Sequence, residues 1–250
     1  MPSATLWLLD GSRVAEEDVA FFVQQLGESE ARRYACFKRR ERQRQFVLGR
    51  MLLRFAVSNL ISIPLDAVAI IERESNAPQL VLSNLSYLQP AFSISHSRDW
   101  VACAVSYNVS LGIDIEVESP ARDIIGISQS AFHPKDHGWL LRQPKTARLS
   151  AFYQLWCTRE ALYKLMSNLG RDRIFSPLVG SDGTVAAEGC RWYRSSISHS
   201  SVALVICCDQ PLSLIHKRQL DGLTRADWVE TERWSAIHWR AVRPADCLVS

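Results

Sequence analysis

Asp114 and Glu116 lie in the stretch Leu111–Gly112–Ile113–Asp114–Ile115–Glu116, where apolar residues and carboxylates alternate. A period of two is the pattern of a β-strand with two unlike faces. It puts both carboxylates on one face, roughly 7 Å apart along the strand. Like charges that close repel unless water or a cation lies between them. The face is therefore either the solvated side of a strand or half of an oxygen-ligand set for a hard ion such as Mg²⁺. Downstream, in Trp156–Cys157–Thr158–Arg159–Glu160–Ala161–Leu162–Tyr163–Lys164, Glu160 and Lys164 stand at i and i+4 and share a helix face. They read either as an exposed ion pair or as a third carboxylate for the metal with an acid or phosphate ligand beside it. Ser95 and His96 close a third patterned run, Ala91–Ser97. A hydroxyl and an imidazolium both donate hydrogen bonds and so suit a phosphate, and a lone histidine is also a common structural residue.

The elements that must position these residues follow from periodicity. Thr5–Leu9 reads as a strand and Glu16–Leu26 as a helix with Val19, Phe22, Val23 and Leu26 on one face. Arg42–Leu60 is a second helix, with Gly49 inside it as a sign of close packing or ligand approach. Val68–Glu72 is a strand, Asn76–Ala77–Pro78 a turn, and Ala91–Ser97, Trp100–Ser106 and Leu111–Val117 are strands. Ile124–Phe132 and Trp139–Arg142 are short helices, and Thr146–Leu169 a long one ended by Gly170. Ile174–Thr184 is irregular, and Arg191–Ile197 and Val202–Cys208 are strands.

Ile94–Ser95–His96–Ser97 recurs as Ile197–Ser198–His199–Ser200, 103 residues on, and each copy precedes an apolar strand. The echo predicts an α+β protein of two similar halves related by pseudo-two-fold symmetry, 1–109 and 110–215. His199 lacks a following carboxylate pair and reads as the structural copy. The segment 216–250 carries Trp228, Trp234 and Trp239 and reads as a helical extension without chemistry.

Composition excludes several classes. A chain of 250 residues with 47% hydrophobic and 22% charged residues is neither disordered nor fibrous. Net charge is only +3, yet nine basic residues and one acid fall between Arg32 and Arg54, which implies an anionic partner. The seven cysteines show no CxxC spacing, and several sit in apolar runs. They read as reduced, buried residues of a cytoplasmic protein. No signal peptide and no membrane span is expected.

Three ordered motifs, Phe92–Ser97, Gly112–Glu116 and Trp156–Lys164, together with Gly49–Arg50–Met51–Leu52–Leu53–Arg54, resemble the Sfp-type 4′-phosphopantetheinyl transferases, over roughly residues 30–170. In that family the motifs read approximately F-N-I-S-H-S, G-I-D-I-E and W-x-x-K-E-S/A-x-x-K. The resemblance implies the two-half fold of that family and Mg²⁺-dependent transfer of phosphopantetheine from coenzyme A to a serine of an apo carrier protein. It implies Asp114, Glu116 and Glu160 as metal ligands and Glu160 as the base. Lys164 would act at the leaving phosphate, and Arg33, Arg44, Arg73, Ser95 and His96 would hold the nucleotide phosphates. The partner would be an acidic acyl, peptidyl or polyketide carrier, as in fatty-acid biosynthesis, and a two-half chain suffices as a monomer. Arg159 replaces the family's usual lysine. Asn76–Ala77–Pro78 replaces Gly-Lys-Pro, so one cationic contact is missing unless Arg73 supplies it. Two other readings stay open: a nucleic-acid-binding protein using the 32–54 segment, and a non-catalytic coenzyme A-binding homologue.

Overall fold

Strand β1 (Ser3–Asp10) sends alternate side chains into two cores, Trp7 and Leu9 into one and Ala4, Leu6 and Leu8 into the other. That period-two division sets the layering of the molecule. The computed structural model describes residues 1–61, 63–74, 76–82, 89–171, 178–179, 184–187, 190–199, 202–229 and 240–242. After β1 come α1 (Glu16–Gln24), α2 (Glu28–Ala35), α3 (Arg40–Ile61), β2 (Val68–Arg73) and β3 (Asn76–Leu82). Then follow β4 (Ala91–Ser97), β5 (Trp100–Ser106), β6 (Leu111–Val117), α4 (Ile124–Ala131), α5 (Pro134–Arg142) and α6 (Arg148–Asn168). The last elements are β7 (Leu178–Val179), β8 (Thr184–Ala187), β9 (Cys190–His199), β10 (Val202–Cys208), β11 (Leu214–Leu220), α7 (Arg225–Val229) and β12 (Arg240–Val242).

Among the described residues the strands form two five-stranded sheets, ordered β12-β11-β1-β5-β4 and β6-β10-β9-β8-β7, and the hairpin β2-β3. The protein is α+β with two similar halves. In the first half β1 pairs with β5 and β5 with β4, and α3 covers the sheet. In the second β6 pairs with β10 and β10 with β9, and α6 covers the sheet. The repeated Ile-Ser-His motif thus ends equivalent strands, β4 and β9. Leu6, Leu8, Ala102, Leu111, Ile113 and Leu204 fill the layer where the two sheets meet. The order is helix, sheet, sheet, helix, with apolar residues on every interface.

Several local expectations change. The turn expected at Asn76–Pro78 is the start of β3. Among the described residues β3 pairs only with β2, and such a two-stranded sheet tolerates a proline that cannot donate to a ladder. Helix α5 begins earlier than expected, with His133 as its N-cap and Pro134 in its first turn. Helix α2 is an element that periodicity passes over, because its eight residues are mostly polar. β11 straddles the 215/216 division and pairs in parallel with β1, so the chain returns to the first sheet where a helix was expected. Trp228 of α7 packs on Phe22 and Phe55, whereas Trp234 and Trp239 lie outside the described residues. Much of the irregular segment Ile174–Thr184 also lies outside them. Cys103, Cys157, Cys207 and Cys208 are buried thiols, whereas Cys36 is exposed at the end of α2. Among the described residues no helix is long and apolar enough to cross a membrane.

The second half closes tightly at Gly112. A Cβ added there would lie 2.0 Å from the Ala161 carbonyl oxygen and 2.5 Å from the Leu165 nitrogen. Only a residue without a side chain lets α6 rest directly on β6. That contact brings Lys164 of α6 over the strand that carries Asp114 and Glu116.

Candidate active site

Both faces of β6 are covered. Leu111, Ile113 and Ile115 point into the layer between the sheets, and Gly112 and Asp114 point beneath α6. Asp114 is 5% exposed, so its face is not a strand's solvated side. Its Oδ1 accepts from Ser95 Oγ at 2.7 Å and from Lys164 Nζ at 2.8 Å. Lys164 also donates to Ser95 Oγ at 2.8 Å and to the Ile113 carbonyl at 3.0 Å. The Lys164 ammonium thus pairs with a carboxylate one element away, on β6. Asp114 Oδ2 is buried and has no hydrogen-bond partner. Glu116 Oε2 accepts from Ser97 Oγ at 2.8 Å. Burial and the adjacent Asp114 charge push the Glu116 carboxyl up, partly offset by the Ser97 bond, Arg122 and Lys164. Burial, with the Asp114 and Glu116 charges, holds the nearby Cys157 thiol well above its ordinary value, so it is inert. Glu160 is partly exposed on α6, one turn before Lys164. Among the described residues no three His, Cys, Asp or Glu side chains are grouped to hold a metal ion.

Lys164 also lines a cleft of about 850 Å³ between the halves, bordered by Arg33, Arg42, Arg50, Arg73 and His96. Its walls come from α2, α3, the β2-β3 hairpin, β4 and α6. Arg33 and Arg42 lie over the Phe37 ring, and Arg50 lies 4.5 Å from the Phe46 ring centre. Stacking on rings fixes guanidinium planes while leaving their N–H groups available to an anion. Arg50 bonds Glu72, and Arg73 Nε donates to the Ala77 carbonyl at 2.8 Å. Arg73 therefore stands beside the position where the family motif has a lysine.

The structure brings together Arg33, Arg73, His96 and Lys164 but not every expected residue. Arg44 lies outside the cleft, donating to Glu16 and to the Gly11 and Val14 carbonyls, and so ties the β1-α1 connection to α3. On a helix at 100° per residue, Arg42 and Arg44 are 200° apart and cannot share a face. Ser95 is 5% exposed and its hydroxyl is engaged by Asp114 and Lys164, because β4 turns Ser95 and His96 to opposite sides. Arg54, with Arg50 nearby, neutralises the buried Glu30, so the basic segment is in part internal. Arg159 packs over Phe132 and does not line the cleft. Arg42 and Arg50 are not among the phosphate-binding residues expected from sequence, although Arg50 belongs to the Gly49–Arg54 motif. Their signal is the helical spacing of Arg42, Phe46, Gly49 and Arg50, which puts all four on one face.

His96 is neutral at pH 7. Burial, with the charges of Arg42 and Lys164, lowers its pKa from 6.5 to about 4. It accepts from Arg42, whose Nη1 lies 2.8 Å from Nε2 and 3.1 Å from Nδ1. The expected imidazolium is thus an imidazole that leaves one N–H to donate. Between pH 6.5 and 4 the unfolded chain binds the proton more readily, so stability rises with pH across that window. Wild type is expected to lose on the order of 3 kcal/mol more than His96→Gln between pH 7 and 4. Urea titrations at a series of pH values check this, and parallel slopes for the two proteins would count against a neutral, half-buried His96.

A family model described as 4′-phosphopantetheinyl transferase superfamily matches residues 110–207, and a second, 4′-phosphopantetheinyl transferase, N-terminal, matches residues 13–108. The two matched stretches meet at the boundary between the halves and together span most of the chain. The chain belongs to the 4′-phosphopantetheinyl transferase superfamily. It is 31% identical over 118 residues to the 4′-phosphopantetheinyl transferase gsp of Aneurinibacillus migulanus, 47% of this chain and 46% of the relative. It is 33% identical over 122 residues to psf-1 of Bacillus pumilus, 49% of each chain. Against Sfp of Bacillus subtilis strain 168 it is 28% identical over 178 residues, 65% of this chain and 76% of the relative. The chain thus covers about half the length of the first two relatives.

Proposed function

We propose that this protein transfers the 4′-phosphopantetheine group from coenzyme A to a serine of an apo carrier protein. The observation that carries the reading is the double position of Lys164, on Asp114 and at the wall of the cationic cleft. One side chain thereby joins a carboxylate pair to a space lined by five arginines. Arg33, Arg42, Arg50 and Arg73 supply charge-assisted contacts to the phosphates of coenzyme A, and His96 donates its single N–H. Dependence on Mg²⁺ is part of the proposal. The residues fit the ion: Asp114 Oδ2 is buried without a partner, and Glu116 is destabilised by burial and by Asp114, both of which a cation relieves. Asp114 and Glu116 would hold it, and Glu160, which is not grouped with them in this structure, would add a third oxygen donor by turning toward them. When bound, the ion neutralises pyrophosphate charge and polarises the phosphorus.

The chain's own groups do the rest. The carrier serine oxygen forms a bond to the β-phosphorus of coenzyme A, and the bridging P–O bond breaks. Adenosine 3′,5′-bisphosphate leaves with that bond's electron pair. Glu160 takes the serine proton, directly or through a water, and Lys164 stabilises or protonates the leaving phosphate. The basic residues of 38–54 that remain on the surface suit an acidic carrier. A nucleic-acid interface fits less well, because Arg44 and Arg54 are turned away from the cleft and paired with Glu16 and Glu30.

The test incubates the protein with Mg²⁺, coenzyme A and apo acyl, peptidyl or polyketide carriers, and reads the carrier mass. Addition of one phosphopantetheine to the carrier serine is the expected result. No addition to any carrier class, with coenzyme A still bound, would instead favour the non-catalytic homologue.

A further inference from the structure

β4 and β6 are edge strands of different sheets, and serine side chains join them. The hydroxyls of Ser93, Ser95 and Ser97 accept from the backbone N–H groups of Ile113, Ile115 and Val117, at 3.0, 3.4 and 3.0 Å. Each serine thereby satisfies a donor that an unpaired edge would leave open. The proton of each hydroxyl then remains to be given. Ser95 gives its proton to Asp114 Oδ1 and Ser97 to Glu116 Oε2, in each case the carboxylate one residue before the amide it accepts from. Ser93 stands in the same relation to Gly112, which has no side chain to receive it.

We propose that Ser97 is a positioning residue for Glu116. Its hydroxyl is fixed by the Val117 N–H and holds one carboxylate oxygen, so that the other is oriented for a divalent ion shared with Asp114. The inference rests on the reading of Asp114 and Glu116 as metal carboxylates. It adds that the first half of the molecule, through β4, sets the metal affinity of the second. Partners of metal ligands typically govern affinity by 10- to 100-fold.

The test measures Mn²⁺ affinity from the electron paramagnetic resonance signal of free Mn²⁺, with coenzyme A present at fixed concentration. Ser97→Ala is expected to weaken Mn²⁺ binding about 10-fold. Ser97→Thr, which keeps the hydroxyl, should restore it to near wild type. Ser93→Ala removes the same kind of backbone bond with no carboxylate behind it, and should leave Mn²⁺ affinity unchanged. Thermal unfolding of each variant separates weak binding from loss of fold. Ser97→Ala binding Mn²⁺ like wild type, while Asp114→Ala does not, would overturn the role of Ser97 and leave the metal reading intact. An equal loss in Ser93→Ala and Ser97→Ala would also overturn it, since the ladder would then be only structural. Undiminished binding in Asp114→Ala would overturn the metal reading and this inference with it.

Discussion

Asp114→Ala is expected to lower phosphopantetheine transfer by at least about 10³-fold while the fold survives, a loss of about 4 kcal/mol in transition-state stabilisation. The stability cost is smaller. Asp114 contributes nothing to the three apolar clusters, and its removal leaves Lys164 with Ser95 Oγ and the Ile113 carbonyl as acceptors. The Lys164 side chain is 28% exposed and opens on the cleft, so its charge is solvated rather than stranded. Losing such a partner costs about 1–2 kcal/mol, between the exposed and fully buried cases. Circular dichroism and carrier mass, read on the same preparation, separate the two effects. Transfer within tenfold of wild type in Asp114→Ala, or undiminished wild-type turnover in excess chelator, would remove the carboxylate pair from the mechanism.

What the sequence made legible was set by range. Asp114 and Glu116 follow from a period of two, and Glu160 and Lys164 from a period of 3.6, because local geometry alone puts each pair on one face. The three motifs fell on β4, β6 and α6 because each carries its own periodicity. The partners of those residues depend on contacts between distant elements. Lys164 reads in sequence as a partner of Glu160, yet its ammonium lies on Asp114, because Gly112 lets α6 settle onto β6. Ser95 reads as a phosphate ligand beside His96, yet strand alternation turns the two apart once α3 and β6 occupy opposite sides of β4. Arg44 failed as a ligand for a reason that was available: two residues along a helix it opposes Arg42. Which of the two faces the cleft depends on how α3 sits against His96. Glu30 gave no signal, since an acid in a polar octapeptide carries no mark of its burial against Arg54.

Glu160→Gln separates most sharply the two readings of the α6 pair. As an exposed member of an i, i+4 pair, Glu160 would contribute only a few tenths of a kcal/mol to stability and nothing to rate. As the group that takes the serine proton, and as an oxygen donor beside Asp114 and Glu116, it would supply 10²- to 10⁴-fold in rate. The amide keeps the size and hydrogen-bonding reach of the carboxylate and removes its charge and basicity. Glu160 is partly exposed, so the change should move stability by no more than about 0.5 kcal/mol. Glu160→Gln is therefore expected to unfold at nearly the wild-type temperature and to transfer at least about 10²-fold more slowly under single-turnover conditions. Coenzyme A affinity should change little, because Glu160 does not line the cleft that would hold the nucleotide. A variant that is slow and also binds coenzyme A poorly would point to damage of the cleft rather than loss of the base. Wild-type transfer by Glu160→Gln, alongside an inactive Asp114→Ala, would keep the carboxylates of β6 in the reaction. Proton removal would then fall to a group other than Glu160.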